Sequence, residues 1–207
     1  MSPRRRWPAA FLALCGAALL VTGVVLFVDG QADPRVEATS VGDVPLATTS
    51  APAAPRAFVG EVPARLDLPG RAVTAPVVPV GTGPDGALVI PDPPQTVGWW
   101  APGALAGSGS GTVVVAGHVD SRLEGIGALA VLPVLTVGEE AVLTGERGAV
   151  LRYRVVARRE FVKAALPPDT FGRTGAPRLV LITCGGRFDS RIRSYEDNIV
   201  VYAEPVP

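Results

Sequence analysis

An all-β fold, a closed barrel of eight short strands with one or two short helices, is what this sequence predicts. Two observations predict it. Beyond Ala64, short β-rich runs alternate with Gly, Pro and Asp punctuation, and almost no stretch keeps a helical period. The runs are, in order, Arg65 to Leu68, Pro76 to Val80, Ala87 to Ile90, Thr112 to Val119, Ala141 to Thr144, Val150 to Phe161, Arg178 to Thr183 and Ile199 to Ala203. Gly145-Glu146-Arg147-Gly148 reads as the turn of a hairpin. A short helix is expected around Leu123 to Leu135, its length limited by the glycines and by Pro133.

The barrel is expected to follow an N-terminal transmembrane helix. Arg4, Arg5 and Arg6 precede an uncharged run from Pro8 to Val28 that is rich in Ala, Leu and Val. At about 1.5 Å per residue this run reaches roughly 31 Å, enough to cross the hydrocarbon core. It exceeds the apolar stretch of a cleaved signal peptide, and no A-x-A site follows it before Asp29, so it reads as an uncleaved signal anchor. The arginine triplet before it and Asp29 and Asp33 after it put the N-terminus in the cytoplasm and the bulk of the chain outside. A removed signal peptide is the other reading, and it exports the remainder equally. Residues 30–63 are dominated by Ala, Pro, Thr, Ser, Val and Gly, without strand or helix periodicity, as in an extended linker. The expected organisation is therefore a basic cytoplasmic tail (1–7), a membrane span (8–28), an extracellular linker (29–63) and a folded domain (64–207).

Composition narrows the chemistry. The 207 residues are 48% hydrophobic and carry 19 basic and 19 acidic groups, so no net field invites nucleic acid. Of the basic residues 18 are arginine and only Lys163 is lysine, a bias that suggests a GC-rich genome. The soft or switchable side chains reduce to Cys15, Cys184 and His118, and no CxxC or HExxH spacing occurs, so no metal site is expected. Cys15 lies within the apolar run and cannot pair with Cys184, which leaves an exported, unpaired thiol exposed to oxidation.

Two runs carry the candidate chemistry. Thr112-Val-Val-Val-Ala-Gly-His118-Val-Asp120 ends an apolar strand on the one histidine of the chain, and Arg178-Leu-Val-Leu-Ile-Thr183-Cys184-Gly-Gly186 does the same for the cysteine. A strand end fixes the backbone while leaving its last side chain accessible, as a nucleophile and its proton partner require. Gly185 and Gly186 then let the chain turn away and a substrate approach. Free cysteine is mostly thiol near neutral pH, so activation needs positive charge nearby. His118 can supply it as imidazolium and can protonate a departing amine, while one of Arg187, Arg191 and Arg193 can hold an oxyanion but cannot donate a proton. Taken singly, each residue has a plainer reading: a small buried cysteine, a hydrogen-bonded loop histidine, a solvated arginine face.

The stretch from about Ala64 to Pro207 resembles the sortases, cysteine transpeptidases of Gram-positive cell surfaces. The resemblance rests on Ala116-Gly117-His118-Val119-Asp120, on Leu181-Ile182-Thr183-Cys184, and on arginines ahead of a final strand. Thr183-Cys184-Gly185-Gly186, Phe188-Asp189, Tyr195-Glu196-Asp197-Asn198-Ile199-Val200-Val201 and Gly98-Trp99-Trp100 are similar to the actinobacterial class F group. Asp33-Pro34-Arg35 lacks the aromatic that follows Asp-Pro in the lid of pilin-polymerising sortases, which disfavours pilus assembly. The resemblance implies a sortase-type barrel in which Cys184 cuts an LPXTG-like sorting signal on a surface protein and forms a thioacyl enzyme. His118 serves as the proton carrier and Arg193, or failing it Arg191, as the oxyanion holder, with Glu196 standing where an arginine is otherwise expected. An amine of a cell-wall precursor then takes the acyl group. No cofactor is implied, and no acidic cluster calls for calcium. Asp120 either orients His118 or caps the next turn; Thr183 either donates to substrate or is satisfied by backbone. Trp99 and Trp100 read as packing residues before substrate contacts, and Lys163 as an exposed lysine. A thiol peptidase that releases its product to water, and a noncatalytic surface-binding module on the same barrel, are the competing readings.

Overall fold

The computed structural model describes residues 35–45 and 60–207, and residues 35–207 form one compact unit. The expected membrane span, 8–28, lies outside the described residues, as does most of the expected linker. Among the described residues no helix is long and apolar enough to cross a membrane.

Twelve strands occur, β1 (Arg35–Val36), β2 (Val41–Gly42), β3 (Pro63–Leu68), β4 (Val73–Val80), β5 (Val97–Trp100), β6 (Thr112–Ala116), β7 (Asp120–Ser121), β8 (Gly125–Ile126), β9 (Glu140–Gly145), β10 (Val150–Val162), β11 (Arg178–Asp189) and β12 (Ser194–Pro205). Eight of them pair in the cyclic order β11-β12-β10-β9-β3-β4-β5-β6, and a parallel β6–β11 ladder closes the ring. The predicted closed, eight-stranded all-β barrel is what forms. Closure removes the sheet edges that would otherwise invite pairing with other chains.

Alternation along each strand decides what faces inward. Leu66 and Leu68, Ala75 and Val77, Val97 and Trp99, Val113 and Val115, Leu179 and Leu181, and Ile199 and Val201 fill the barrel interior. On β6, β11, β12 and β10 the outer face is covered as well: Val114, Ala116, Ala157, Val180, Ile182, Val200 and Tyr202 form a second cluster under Leu88, Ile90, Trp100, Leu166 and Phe171. Burial on both faces explains why Val113–Ala116 and Leu179–Ile182 read as unbroken apolar runs rather than alternating ones.

Two expected elements are corrected. Ala87 to Ile90 is not a strand of the barrel; Leu88 makes only an isolated bridge with Thr82, and the run lies over the outer cluster. Its place is taken by β5, whose Gly98 a Cβ would bring to 2.8 Å from Val80, a close approach that glycine permits. The helix expected over Leu123 to Leu135 is absent. The segment forms the β7–β8 hairpin and a single 3-10 turn, Leu132–Val134. Gly125 at φ +83° supplies the hairpin turn, and a Cβ on Gly127 would fall 2.1 Å from the His118 carbonyl oxygen, so this loop must press its backbone onto that of His118. The short helices that do occur, Pro69–Arg71, Leu132–Val134, Lys163–Ala165 and Pro168–Phe171, are all 3-10 turns.

Residues 35–45 of the expected linker are held against the barrel. Arg35 and Val36 pair with Arg187 and Gly186, and Val41 and Gly42 pair with Arg158 and Ala157. Between them Ala38 is buried, and its N–H donates to Glu160 Oε2 at 3.1 Å. Arg158 donates from Nε and Nη2 to the Thr39 carbonyl at 3.2 and 2.7 Å, and from Nη1 to the Leu135 carbonyl. Arg159 donates to the carbonyls of Val41 and Gly42, and Arg178 to that of Pro45. Four charged side chains thus satisfy the backbone of an eleven-residue strap that begins beside the bulge following Cys184.

Candidate active site

Strand register assembles the site. β6 and β11 run parallel, with Thr112 beside Arg178 and Ala116 beside Ile182. His118 and Cys184 each lie two residues past that last pair, on the parity of the outer cluster. Two bonds carry the contact beyond the ladder: Gly117 N–H donates to the Ile182 carbonyl at 3.1 Å, and Thr183 Oγ1 donates to the Gly117 carbonyl at 2.8 Å. The two candidate side chains, separated by 66 positions, therefore leave neighbouring strands at equivalent places on the same face. Both are half-buried, and Cys184 is a free thiol.

Across the antiparallel ladders Cys184 faces Asn198, and Asn198 faces Phe161. A row Cys184, Asn198, Phe161 therefore crosses three adjacent strands at one level, and His118 lies two residues past the end of β6, the next strand in the ring. Thr183, pointing the other way, is buried, and its hydroxyl is spent on the Gly117 carbonyl. Asp120 is exposed and accepts a hydrogen bond of 2.7 Å from the Tyr195 hydroxyl. Tyr195 packs edge-on against Phe188, with centroids 5.1 Å apart. Burial, then the bond to Asp120 and the charges of Asp120 and Cys184, push its phenol up to about 12.

After Cys184 the strand bulges between Gly185 and Phe188. Gly186 has φ +75°, and a Cβ there would stand 2.2 Å from Asp197 Oδ2, while one on Gly185 would stand 2.6 Å from Ile199. Both glycines are thus required by the chain itself as it turns.

The three arginines part company here. Arg187 pairs with Glu196 at 3.0 Å. Glu196 shares a face of β12 with Asn198, so the guanidinium beside that carboxylate is delivered from β11. Arg191 belongs to its own turn, bonded to Asp189 at 3.2 Å, and it holds that carboxyl below the usual range. Arg193 is exposed, sits at φ +53° at the last loop position before β12, and has no hydrogen bond or ion pair among the described residues. Lys163 is exposed and donates to Ser194 Oγ at 2.8 Å. Trp99 is buried, with its indole N–H on the Ala104 carbonyl, and Trp100 packs edge-on against Phe171. No group of three or more His, Cys, Asp or Glu able to hold a metal occurs among the described residues.

Comparison with known proteins decides the family. The sortase domain profile matches residues 66–206, well over half of the chain. The chain belongs to the sortase family. Solved sortases share its fold at low identity. A lid mutant of sortase A from Corynebacterium diphtheriae is 18% identical with a TM-score of 0.55, covering 74% of each chain. Sortase C-1 from Actinomyces oris is 22% identical with a TM-score of 0.52, covering 69% of this chain and 72% of that one. A lid mutant of Streptococcus agalactiae sortase C1 is 15% identical with a TM-score of 0.54, covering 72% and 71%. Curated proteins gave no match.

Asn198, Phe161 and Tyr195 were not singled out as site residues from the sequence. Antiparallel pairing around a hairpin could point to Asn198 opposite Cys184, but the bulge after Gly185 shifts the count by one, and Gly185-Gly186 is its only local signal.

Proposed function

We propose that this sortase is a membrane-anchored cysteine transpeptidase of the actinobacterial class F type, acting outside the cell on proteins that carry an LPXTG-like sorting signal. The observation that carries the reading is the β6–β11 register, which sets the chain's one histidine, two residues past the end of β6, level with its one described cysteine, inside β11, in a sortase fold. The Cys184 thiolate attacks the threonine carbonyl of the signal, and a carbon–sulfur bond forms. As the tetrahedral centre collapses, the Thr–Gly bond breaks and the leaving amine takes a proton from His118. An amine of a cell-wall precursor then attacks the thioester and gives its extra proton to His118, and the new amide forms as the carbon–sulfur bond breaks. The thioester conserves the energy of the broken peptide bond, so the cycle balances without a cofactor.

Arg193 is assigned the oxyanion, because its guanidinium is committed to no carboxylate among the described residues, whereas Arg187 and Arg191 each hold one. Arg187 is the second reading, favoured by its ion pair with Glu196 on the Cys184 face of β12. Asp120 supports the His118 loop through Tyr195. The uncharged run 8–28 supplies the anchor, with the N-terminus inside and the barrel outside.

Incubation of the full-length protein with a library of sorting peptides and an amine acceptor, followed by mass spectrometry of the products, tests this. Ligated product that depends on Cys184 and His118 is the expected result. Hydrolysed product alone, with acceptor present, would make the protein a thiol peptidase. No product from folded protein would leave a noncatalytic module.

A further inference from the structure

We propose that Tyr195 is a positioning residue which, through Asp120, fixes the separation of His118 and Cys184. This rests on the proposed chemistry of that pair and adds to it the element that holds the two side chains in reach.

The sheet itself stops short of the site. The parallel ladder ends at Ala116 and Ile182, and the Thr183 hydroxyl on the Gly117 carbonyl is the last tie before the strands part. Beyond it β11 runs on to Asp189 beside β12 and β1, away from β6, while the chain after His118 doubles back through the β7–β8 hairpin. His118 and Cys184 are the first residues past the tie, so no ladder sets the distance between them. The hairpin is exposed, with Leu123 at 92% and Ile126 at 73%, and has little burial of its own to hold it. Its returning limb is secured by the 94–95 segment, through Ala128 N–H on the Pro94 carbonyl and Gln95 Nε2 on the Ile126 carbonyl. Its outgoing limb, the one that carries His118, is joined to the returning limb by Gly127 N–H on the Val119 carbonyl at 2.9 Å and is met from β12 by Tyr195 at Asp120.

Tyr195 suits that task. Its ring is 8% exposed and locked edge-on against Phe188, so the hydroxyl is presented from a rigid body. The bond to Asp120 Oδ2 is 2.7 Å, the short length of a charge-assisted bond. The phenol stays protonated far above neutrality, so it remains a donor wherever a cysteine enzyme works. Cys184 and His118 are thus bracketed, with the Thr183–Gly117 bond on one side and the Tyr195–Asp120 bond on the other. Rotating His118 away from Cys184 by even an ångström disrupts proton transfer, which tolerates little misplacement.

Tyr195→Phe keeps the ring and deletes only the donor. In the full-length protein it should lower kcat by about 10- to 100-fold and leave KM within about threefold, since reach rather than peptide binding is lost. Asp120→Ala, at an exposed position, should do the same, and the double variant should be no slower than the slower single, because both remove one bond. Tyr153→Phe is the control. It removes a buried phenol hydroxyl that accepts the Gly107 N–H at 3.2 Å, at the opposite end of β10 from Phe161, and should keep wild-type kcat.

A Tyr195→Phe enzyme with wild-type kcat, or losses that multiply in the double variant, would overturn the proposal. If Tyr195→Phe fails to fold, Asp120→Ala alone decides. Iodoacetamide alkylation of Cys184 at neutral pH, followed by intact mass, reads the pair without any sorting peptide. Tyr195→Phe should slow it toward the rate of His118→Ala, and equal rates in wild type and Tyr195→Phe contradict the tie. Wild-type protein that alkylates but never turns over a peptide would instead sink the transpeptidase reading.

Discussion

Replacing Arg158 by methionine should cost the domain about 2–4 kcal/mol, because this guanidinium holds the strap to the barrel. Arg158 is 5% exposed, and its three nitrogens donate to two carbonyls, those of Thr39 and Leu135. Methionine fills much of the same stem volume, so packing is largely kept. What is lost is a set of bonds to a charged donor, worth roughly 1.5–3 kcal/mol each before offsets. The offset is real: burial, helped by the nearby charge of Arg71, lowers the pKa of this guanidinium, so removing it also relieves a desolvation penalty. The remainder is two carbonyls left without donors, at about 1–3 kcal/mol each. Urea unfolding at neutral pH reads the difference, and hydrogen exchange at Ala38, whose N–H is bonded to Glu160 within the strap, reads its location. A loss under about 0.5 kcal/mol, or Ala38 protection equal to wild type, would refute the claim that Arg158 pins the strap.

Arg193→Ala should reduce turnover more than Arg191→Ala, whose guanidinium serves its own turn, as steady-state rates on one peptide will show; the reverse ranking moves the oxyanion holder to a neighbour. The carboxyl of Glu139 is held low by its bond to Arg71, so its stabilisation is present above the unfolded carboxylate pKa, about 4.3, and is lost as pH falls further through the folded value. Glu139→Gln should flatten that acid limb in melts taken from neutral pH downward, and an unchanged acid limb contradicts the assignment. All three tyrosines, Tyr153, Tyr195 and Tyr202, have raised pKa values, each chiefly through burial. Their neutral form is favoured in the fold, so stability is full below about pH 10 and falls as pH rises beyond it. Absorbance of phenolate near pH 10 should be small for native protein and substantial in denaturant; equal signals would contradict the burial account.

Much of the barrel was legible because its strands announce themselves. Val113–Ala116 and Leu179–Ile182 are unbroken apolar runs, and they are buried on both faces. Ala87 to Ile90 was misleading for a physical reason: it is apolar because it covers the outer cluster, not because it pairs in the ring. β5 was missed because Val97-Gly98-Trp99-Trp100 is short and carries a glycine that reads as a breaker, yet that glycine lets Val80 pass close by. The helix expected over Leu123 to Leu135 failed where Gly125 and Gly127 act as turn and contact residues. At the site, Cys184 and His118 were legible as solitary reactive groups; His118 does lie just past the end of its strand, but Cys184 lies inside β11, which runs on to Asp189 because the bulge after Gly185 lets pairing with β12 continue. Asn198 and Tyr195 were not, because their meaning depends on the bulge after Gly185 and on a bond to Asp120 across 75 positions. The strap carries no pattern of its own, since arginines of β10 and β11 satisfy its backbone.

The most direct test of the account is the intact mass of the protein after brief exposure to an LPXTG-like peptide without any amine acceptor. A thioester adduct on Cys184, released by hydroxylamine, missing in Cys184→Ala and slow to form in His118→Ala, is the predicted result. Folded wild-type protein whose mass never changes across a full peptide library, or an adduct that forms as fast without His118, would contradict it.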